Sequence, residues 1–557
     1  MSLRTGGQIL VDQLRIHGAT HVFCVPGESY LAVLDALHDA AITTIVCRQE
    51  GGAAYMAEAA GKLTGRPGIV MVTRGPGATN ASGGIHVASQ DSTPLIMFVG
   101  QVARDMKERE AFQELDYKAV FGTMAKWVVE IDRAERIPEI VSRAYHIAMQ
   151  GRPGPVVIAL PEDMLTDQVE VADAPPCRPV VVRPGTADME DLQRRLLAAK
   201  RPILLAGGSG WDEKGRADLA AFAEKFSLPA AVTFRRQMLF SADHPNYAGD
   251  LGIGTNPKLL QRVKDADLIL LVGGRLSEMP SQSYTLLDIP GDGSRLIHVH
   301  PGLEELNKVY RAGLGIASSP SAFAAAAAAL PRPNRVNWPG AAAEAHAAYR
   351  AWSDPKSIRT AGDLQMAGIM QHLVSALPAD AVFCNGAGNY ATWVHRFWPF
   401  RAFGSQLAPT SGTMGYGLPA AVAAKALMPG RTIMAFAGDG CFMMNGQEFA
   451  TAIQYDLPII VVVVDNGMYG TIRMHQEREY PGRVSATMLK NPDFAALARA
   501  YGGHGETVHR TDEFSSALER ACASGKPSII HCLLDPEAIT PGLSLTGIRN
   551  AALKAKA

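Results

Sequence analysis

Residues 433–470 read IMAFAGDGCFMMNGQEFATAIQYDLPIIVVVVDNGMYG, and no other stretch so narrows what the chain can fold into. The apolar run Thr432 to Ala437 predicts a buried strand that breaks at two glycines flanking Asp439. A helical stretch from about Asn445 to Tyr455 follows, then a second buried strand, Ile459 to Val464, ending at Asp465-Asn466. Strand, helix, strand in so few residues is a βαβ unit, which requires a parallel sheet. A polar group ends each strand, and open parallel sheets bind ligands at the carboxyl ends of their strands.

The side chains at those ends suit a divalent ion clamped onto a diphosphate. Magnesium takes oxygen ligands and is usually held by one or two protein groups plus phosphate oxygens. Asp439 supplies a charged oxygen and Asn466 a neutral one, while Gly438 and Gly440 let the backbone approach a phosphate. A helix start just beyond presents unpaired N–H groups to an anion. The chain carries its own control: Gly291-Asp292-Gly293 is a second Gly-Asp-Gly with no strand before it, and reads as an ordinary turn.

A length of 557 residues allows roughly three or four domains. With 53 basic and 54 acidic residues, nothing points to nucleic acid or an anionic membrane surface. Seven scattered cysteines without a CxxC pair favour reduced thiols and a cytoplasmic location, and argue against structural zinc. The N-terminus has an amphipathic helical pattern rather than a signal peptide, and apolar runs are too short to span a bilayer.

Taken in order, residues 1–170 alternate strands and helices. Strand 21–25 breaks at Pro26-Gly27 before a helix over 29–38; strand 43–47 leads through Arg48-Gln49 to Glu50 and a small-residue helix. Strand 68–73 leads to the loop RGPGATN, and strands over 94–100 and 155–160 complete the set. Short connections between alternating elements imply a parallel sheet covered on both faces. A Pro-rich linker, Ala174–Pro184, precedes a Rossmann-like middle domain over 185–330, whose strand-then-glycine junctions (202–210, 267–276) do not complete GxGxxG. A second Pro-rich linker, Leu330–Gly340, precedes a third domain over 360–540 that repeats the alternation of the first. The expected class is α/β: two similar parallel-sheet domains flanking a different one.

Gly-Asp-Gly with Asn466 27 residues after Asp439 resembles the diphosphate-binding motif of thiamine diphosphate (ThDP) enzymes, with Asp465-Asn466 where Asn-Asn is usual. Arg48–Ala54, Ala57-Glu58 and Thr73–Asn80 are similar to the first domain of acetolactate synthase-like ThDP enzymes, and SGTMGYGLPAA (Ser411–Ala421) to their third. The resemblance implies that Asp439, Asn466 and the Met468 carbonyl hold Mg2+. It implies that Glu50 contacts the aminopyrimidine, and that Met414 and the Gly412 carbonyl set the bent cofactor. It also puts Pro26, Gly77, Gly438, Gly440 and Tyr469 on the cofactor. Without it, Glu50 reads as a residue stabilising its own helix start and Met414 as core filler.

On the substrate side the resemblance offers Glu28, Gln113 and His475 as catalytic candidates. Lys126 is offered for a carboxylate or as a surface lysine, and Arg473 and Arg483 for an anionic substrate or as solvated residues. Gln101–Arg104 lacks the His-His pair of the pyruvate decarboxylase type, and His475 stands where acetolactate synthases carry Trp. The implied function is decarboxylation of a pyruvate-like 2-oxo acid with carboligation to a second carbonyl. The implied assembly is a homodimer or homotetramer with the site at the subunit interface. A 2-hydroxyacyl-CoA lyase or oxalyl-CoA decarboxylase relative is the alternative, and FAD in the middle domain stays open with no residue supporting it. Glyoxylate carboligase lacks the glutamate present here as Glu50. A non-catalytic homologue would have lost ligands that Glu50, Asp439 and Asn466 retain.

Overall fold

The computed structural model describes residues 2–556, which divide into two compact units. The first comprises the chain up to Val180 together with 422–427 and 445–455. Its six-stranded sheet runs 43–46, 21–24, 68–72, 95–101, 155–161, 127–130 from edge to edge, all parallel. The central strands Gly68–Val72, Leu95–Gln101 and Pro155–Pro161 are buried along their whole length, as expected where helices cover both faces. Helices Glu50–Thr64 and Gly75–Asp91 pack closely because their facing residues are small. A Cβ added to Gly84 would lie 2.3 Å from the Ala54 Cβ.

The second unit holds two more six-stranded sheets, both entirely parallel. One runs 247–251, 230–233, 202–206, 268–272, 296–300, 314–317. The other runs 406–407, 382–385, 433–438, 460–465, 528–533, 504–508. Each has its own apolar core, around Phe222, Leu270 and Val299 in the first and around Phe383, Phe436 and Val462 in the second. The three-sheet parallel α/β class expected from the sequence is the one observed. Ala174–Pro184 carries no helix or strand, the alanine run lies in helix Pro320–Ala329, and Asp292 sits in a turn, accepting from the Ser294 N–H and hydroxyl.

Two helix starts differ from expectation. The helix expected from Asn445 begins at Asp439 (Asp439–Asn445), tightens to a 3-10 turn at Gly446–Glu448 and resumes as Phe449–Gln454. An acidic residue is stabilised in a first turn by the helix dipole, so Asp439 opens the helix rather than preceding it. Likewise RGPGATN is no loop: the helix starts at Gly75 with Pro76 in its first turn, where proline's missing N–H costs nothing. No helix among the described residues is long and apolar enough to cross a membrane.

Candidate cofactor and metal site

Within the second unit, strand Ile433–Gly438 delivers Asp439 to the carboxyl edge of its sheet, beside the end of strand Ile460–Asp465. Asp439 is 3% exposed. Its Oδ2 accepts from the Asn491 amide at 2.7 Å and from the Met468 N–H at 3.2 Å. The same Asn491 amide donates to Asp465 Oδ1 at 2.8 Å, which also accepts from the Gly467 N–H. His531 Nε2 lies 2.9 Å from the other Asp465 oxygen.

The two carboxyls are pushed apart. Burial raises Asp439 to about 6, and the neighbouring Asp465 pushes it the same way against the Gly440 N–H and Asn491. Burial alone would raise Asp465 too, but the hydrogen bonds from His531, Gly467 and Asn491 outweigh it and hold that carboxyl low. A divalent cation beside Asp439 would supply the positive charge that favours its ionised form.

The backbone at Met468 completes an oxygen set. Met468 bridges Met488 across a short antiparallel contact, whose hydrogen bonds run from Tyr469 N–H to Thr487 O and from Leu489 N–H to Gly467 O. Those bonds use the residues flanking Met468, so its own N–H and C=O face the opposite edge, where the N–H meets Asp439. Asp439, Asn466 and Met468 line one cavity of about 240 Å³ with Gly412, Met414, Gly438, Gly440 and Tyr469. Gly440 is where the Tyr469 ring closes on the backbone: a Cβ there would lie 2.6 Å from the ring. Met414 is half-buried, packed on the core of this sheet. No group of three or more His, Cys, Asp or Glu among the described residues could hold a metal ion. A carboxylate, a carboxamide and a carbonyl are the oxygen donors a hard cation takes when it draws its remaining ligands from phosphate.

In the first unit, Glu28, Glu50 and Arg74 follow three adjacent strands of one sheet edge. Glu50 opens helix Glu50–Thr64, but the capping bond comes from Gln49, whose side chain accepts from the Gly52 N–H. The N–H groups of Arg48 and Gln49 donate to the buried Glu448, at 3.1 and 3.0 Å. The half-buried Glu50 carboxylate accepts from the Asn80 amide at 3.0 Å, and a Cβ on Gly77 would lie 3.3 Å from its other oxygen. Pro26 is exposed at the same edge. Glu28 is ion-paired with Arg74 at 2.8 Å, and the Gln113 carbonyl accepts from the Gly75 N–H while Gln113 itself is left-handed at φ +64°.

Of the other substrate-side candidates, Arg473 departs from the expectation. His475 is exposed on helix Gly470–Glu479, near Arg478 and outside the cavity lining. Arg473 neither faces solvent nor stands free for an anion: it is 7% exposed and paired with Glu477 at 2.5 Å. Lys126 is an exposed surface lysine whose ammonium donates to the carbonyls of Ile147, Gln150 and Arg152 at the end of helix Ile137–Met149. Arg483 is exposed. Asn491 and His531 were not singled out from the sequence. Asn491 carried no signal there, whereas His531 interrupts the buried strand Ser528–Leu533, where a histidine needs a polar partner.

Three family models match in order: the N-terminal thiamine pyrophosphate binding domain at residues 4–120, the central domain at 189–327 and the C-terminal thiamine pyrophosphate binding domain at 386–532. The chain is 31% identical over 537 residues to the acetolactate synthase isozyme 2 large subunit of Escherichia coli K12, covering 95% of each. It is 30% identical over 570 residues to the probable acetolactate synthase large subunit of Methanocaldococcus jannaschii, covering 98% of this chain and 95% of that one. With the large subunit of Lactococcus lactis it shares 32% over 512 residues, 89% and 87% of the two chains. Fold, site and these likenesses define an enzyme whose cofactor is thiamine diphosphate, the compound also called thiamine pyrophosphate. The chain belongs to the thiamine pyrophosphate enzyme family, on the acetolactate synthase-like side, among the carboligases and decarboxylases.

Proposed function

We propose that this enzyme decarboxylates a pyruvate-like 2-oxo acid and transfers the resulting acyl unit to a second carbonyl, using ThDP held through Mg2+. The observation that carries this reading is the convergence of Asp439, Asn466 and Met468 on the one cavity that Gly412 and Met414 also line. Asp439, Asn466 and the Met468 carbonyl would hold Mg2+, which would help bind the diphosphate, and the N–H groups opening helix Asp439–Asn445 would favour that negative charge. Met414 and the Gly412 carbonyl, which line the same cavity, would hold the cofactor in its bent form. ThDP, when bound, supplies the electron sink for breaking a bond next to a carbonyl. Glu50, steadied by its hydrogen bond from Asn80, would hold a proton toward a pyrimidine nitrogen. Glu28, tied to Arg74, and Gln113 serve the substrate from the same sheet edge, with His475 as a further candidate. The working assembly is a homodimer or homotetramer in the cytoplasm.

The test is a panel of 2-oxo acids and acyl-CoA thioesters with added ThDP and Mg2+, followed for carbon dioxide and ligation products. Glu50→Gln is expected to lower turnover by about 10²- to 10⁴-fold with the fold and ThDP binding retained. Unchanged carboligation by that variant rejects the assignment.

A further inference from the structure

The residue that connects the middle sheet to the cofactor cavity is Arg235. It follows strand Ala230–Thr233, is 5% exposed, and has a left-handed backbone at φ +58°, a conformation non-glycine residues seldom adopt. Its guanidinium donates to two carbonyls on different loops of the third sheet: Gly386, at 3.0 Å, and Pro409. Gly386 follows strand Val382–Asn385 and leads into Ala387 and Gly388; Pro409 follows strand Gln406–Leu407 and leads to Gly412 and Met414. All four of those following residues line the cavity.

The neighbouring side chain holds Arg235 in register. Gln237 donates from its backbone N–H to the Gln406 side chain at 2.7 Å and from its amide to the His395 carbonyl at 2.7 Å. The two clamped loops are also in contact with each other: a Cβ on Gly386 would lie 2.7 Å from the Cys441 sulfur and 3.1 Å from the Thr413 carbonyl. A small change in their separation would therefore move Met414 relative to Gly388. A strained backbone at a buried cation that bridges two functional loops marks a site where conformation is fixed for use.

We propose that Arg235 is a positioning residue for the cofactor: by holding the Gly386 and Pro409 carbonyls together it fixes the wall formed by Gly412 and Met414. The inference rests on the roles proposed above for those two residues. Of the two carbonyls it holds, that of Pro409 leads along the chain to Gly412 and Met414, at the opposite end of the proposed site from the diphosphate. Arg235 should thus matter for whole ThDP and not for its diphosphate alone.

Isothermal titration of the full-length protein with ThDP, and separately with inorganic pyrophosphate, both with Mg2+, separates the two. Arg235→Met is expected to weaken ThDP about tenfold, the size of one or two lost hydrogen bonds, while pyrophosphate affinity stays within about twofold of wild type. Arg235→Lys, which keeps the charge but not the two-pronged geometry, is expected to show a smaller loss confined to ThDP. Circular dichroism and a thermal melt establish that each variant is folded; if Arg235→Met is not, Arg235→Lys alone decides. Undiminished ThDP binding, or an equal loss of both ligands, overturns the proposal. Failure of the wild-type protein to bind ThDP would instead sink the cofactor reading itself.

Discussion

Lys62 illustrates how much a single buried charge can matter outside the site. Its side chain is 5% exposed, and its ammonium pairs with Glu58 at 3.1 Å and contacts Asp91, both of whose side chains are wholly enclosed. Glu58 also accepts from the Thr93 hydroxyl at 2.7 Å. Removing the cation would leave two negative charges in an apolar setting, which is far more costly than breaking a surface pair. Lys62→Met is therefore expected to lose about 3–5 kcal/mol of unfolding free energy, measured by denaturant titration. A loss below about 1 kcal/mol, the range of a solvated pair, would show that the cluster is hydrated or rearranges. The sequence showed Glu58 only as part of the stretch resembling the family's first domain and gave no sign of this cluster, because the partner Asp91 lies on the neighbouring helix and enters only through packing.

At the scale of elements, helix Gly470–Glu479 is fastened to the C-terminal helix Leu545–Lys556 by one carboxylate. Glu477 accepts from Arg549 through both oxygens, at 2.5 and 2.8 Å, and from the Gly482 N–H at 2.8 Å. Arg549 is the main reason its carboxyl falls to about 2; burial opposes the shift, while the Gly482 N–H and Arg473 add to it. A depressed carboxyl stabilises the folded state above its unfolded value of about 4.3, and that contribution disappears as pH falls toward about 2. The melting temperature of wild type should therefore drop through this window. Glu477→Gln should start lower at neutral pH and fall less steeply; parallel curves for the two proteins would refute the linkage. Arg473, read from sequence as solvated or substrate-facing, belongs to this fastening instead, since i and i+4 residues on one helix turn meet.

For the whole molecule, the proposed assembly makes a prediction that one chain cannot. If Glu50 of one chain serves the metal site of another, Glu50→Gln and Asp439→Ala chains mixed after subunit exchange form mixed dimers with one intact site. Random exchange gives half mixed dimers, so about a quarter of wild-type activity should return from two inactive parents. An activity that stays at the parental level would place Glu50 and Asp439 of the same chain in each site. Sedimentation of each parent alone checks that both still associate.

Local pattern was enough to reveal the α/β class and the parallel sheets and to set Asp439 and Asn466 at strand ends, whereas Glu50 stood out only through the family resemblance. Buried strands announce themselves as apolar runs, and ligand groups in such a fold must stand just past their ends. The edge strand His504–Val508 gave no comparable sign, being only half-covered and without an apolar run. Tertiary structure decided the rest. Asn491 shared between two carboxylates, Glu448 receiving the backbone before Glu50, Lys126 closing a helix, and Arg235 clamping two loops all join residues distant in sequence. A hydrogen bond depends on where two backbones arrive in space, and no periodicity in one segment encodes the position of another.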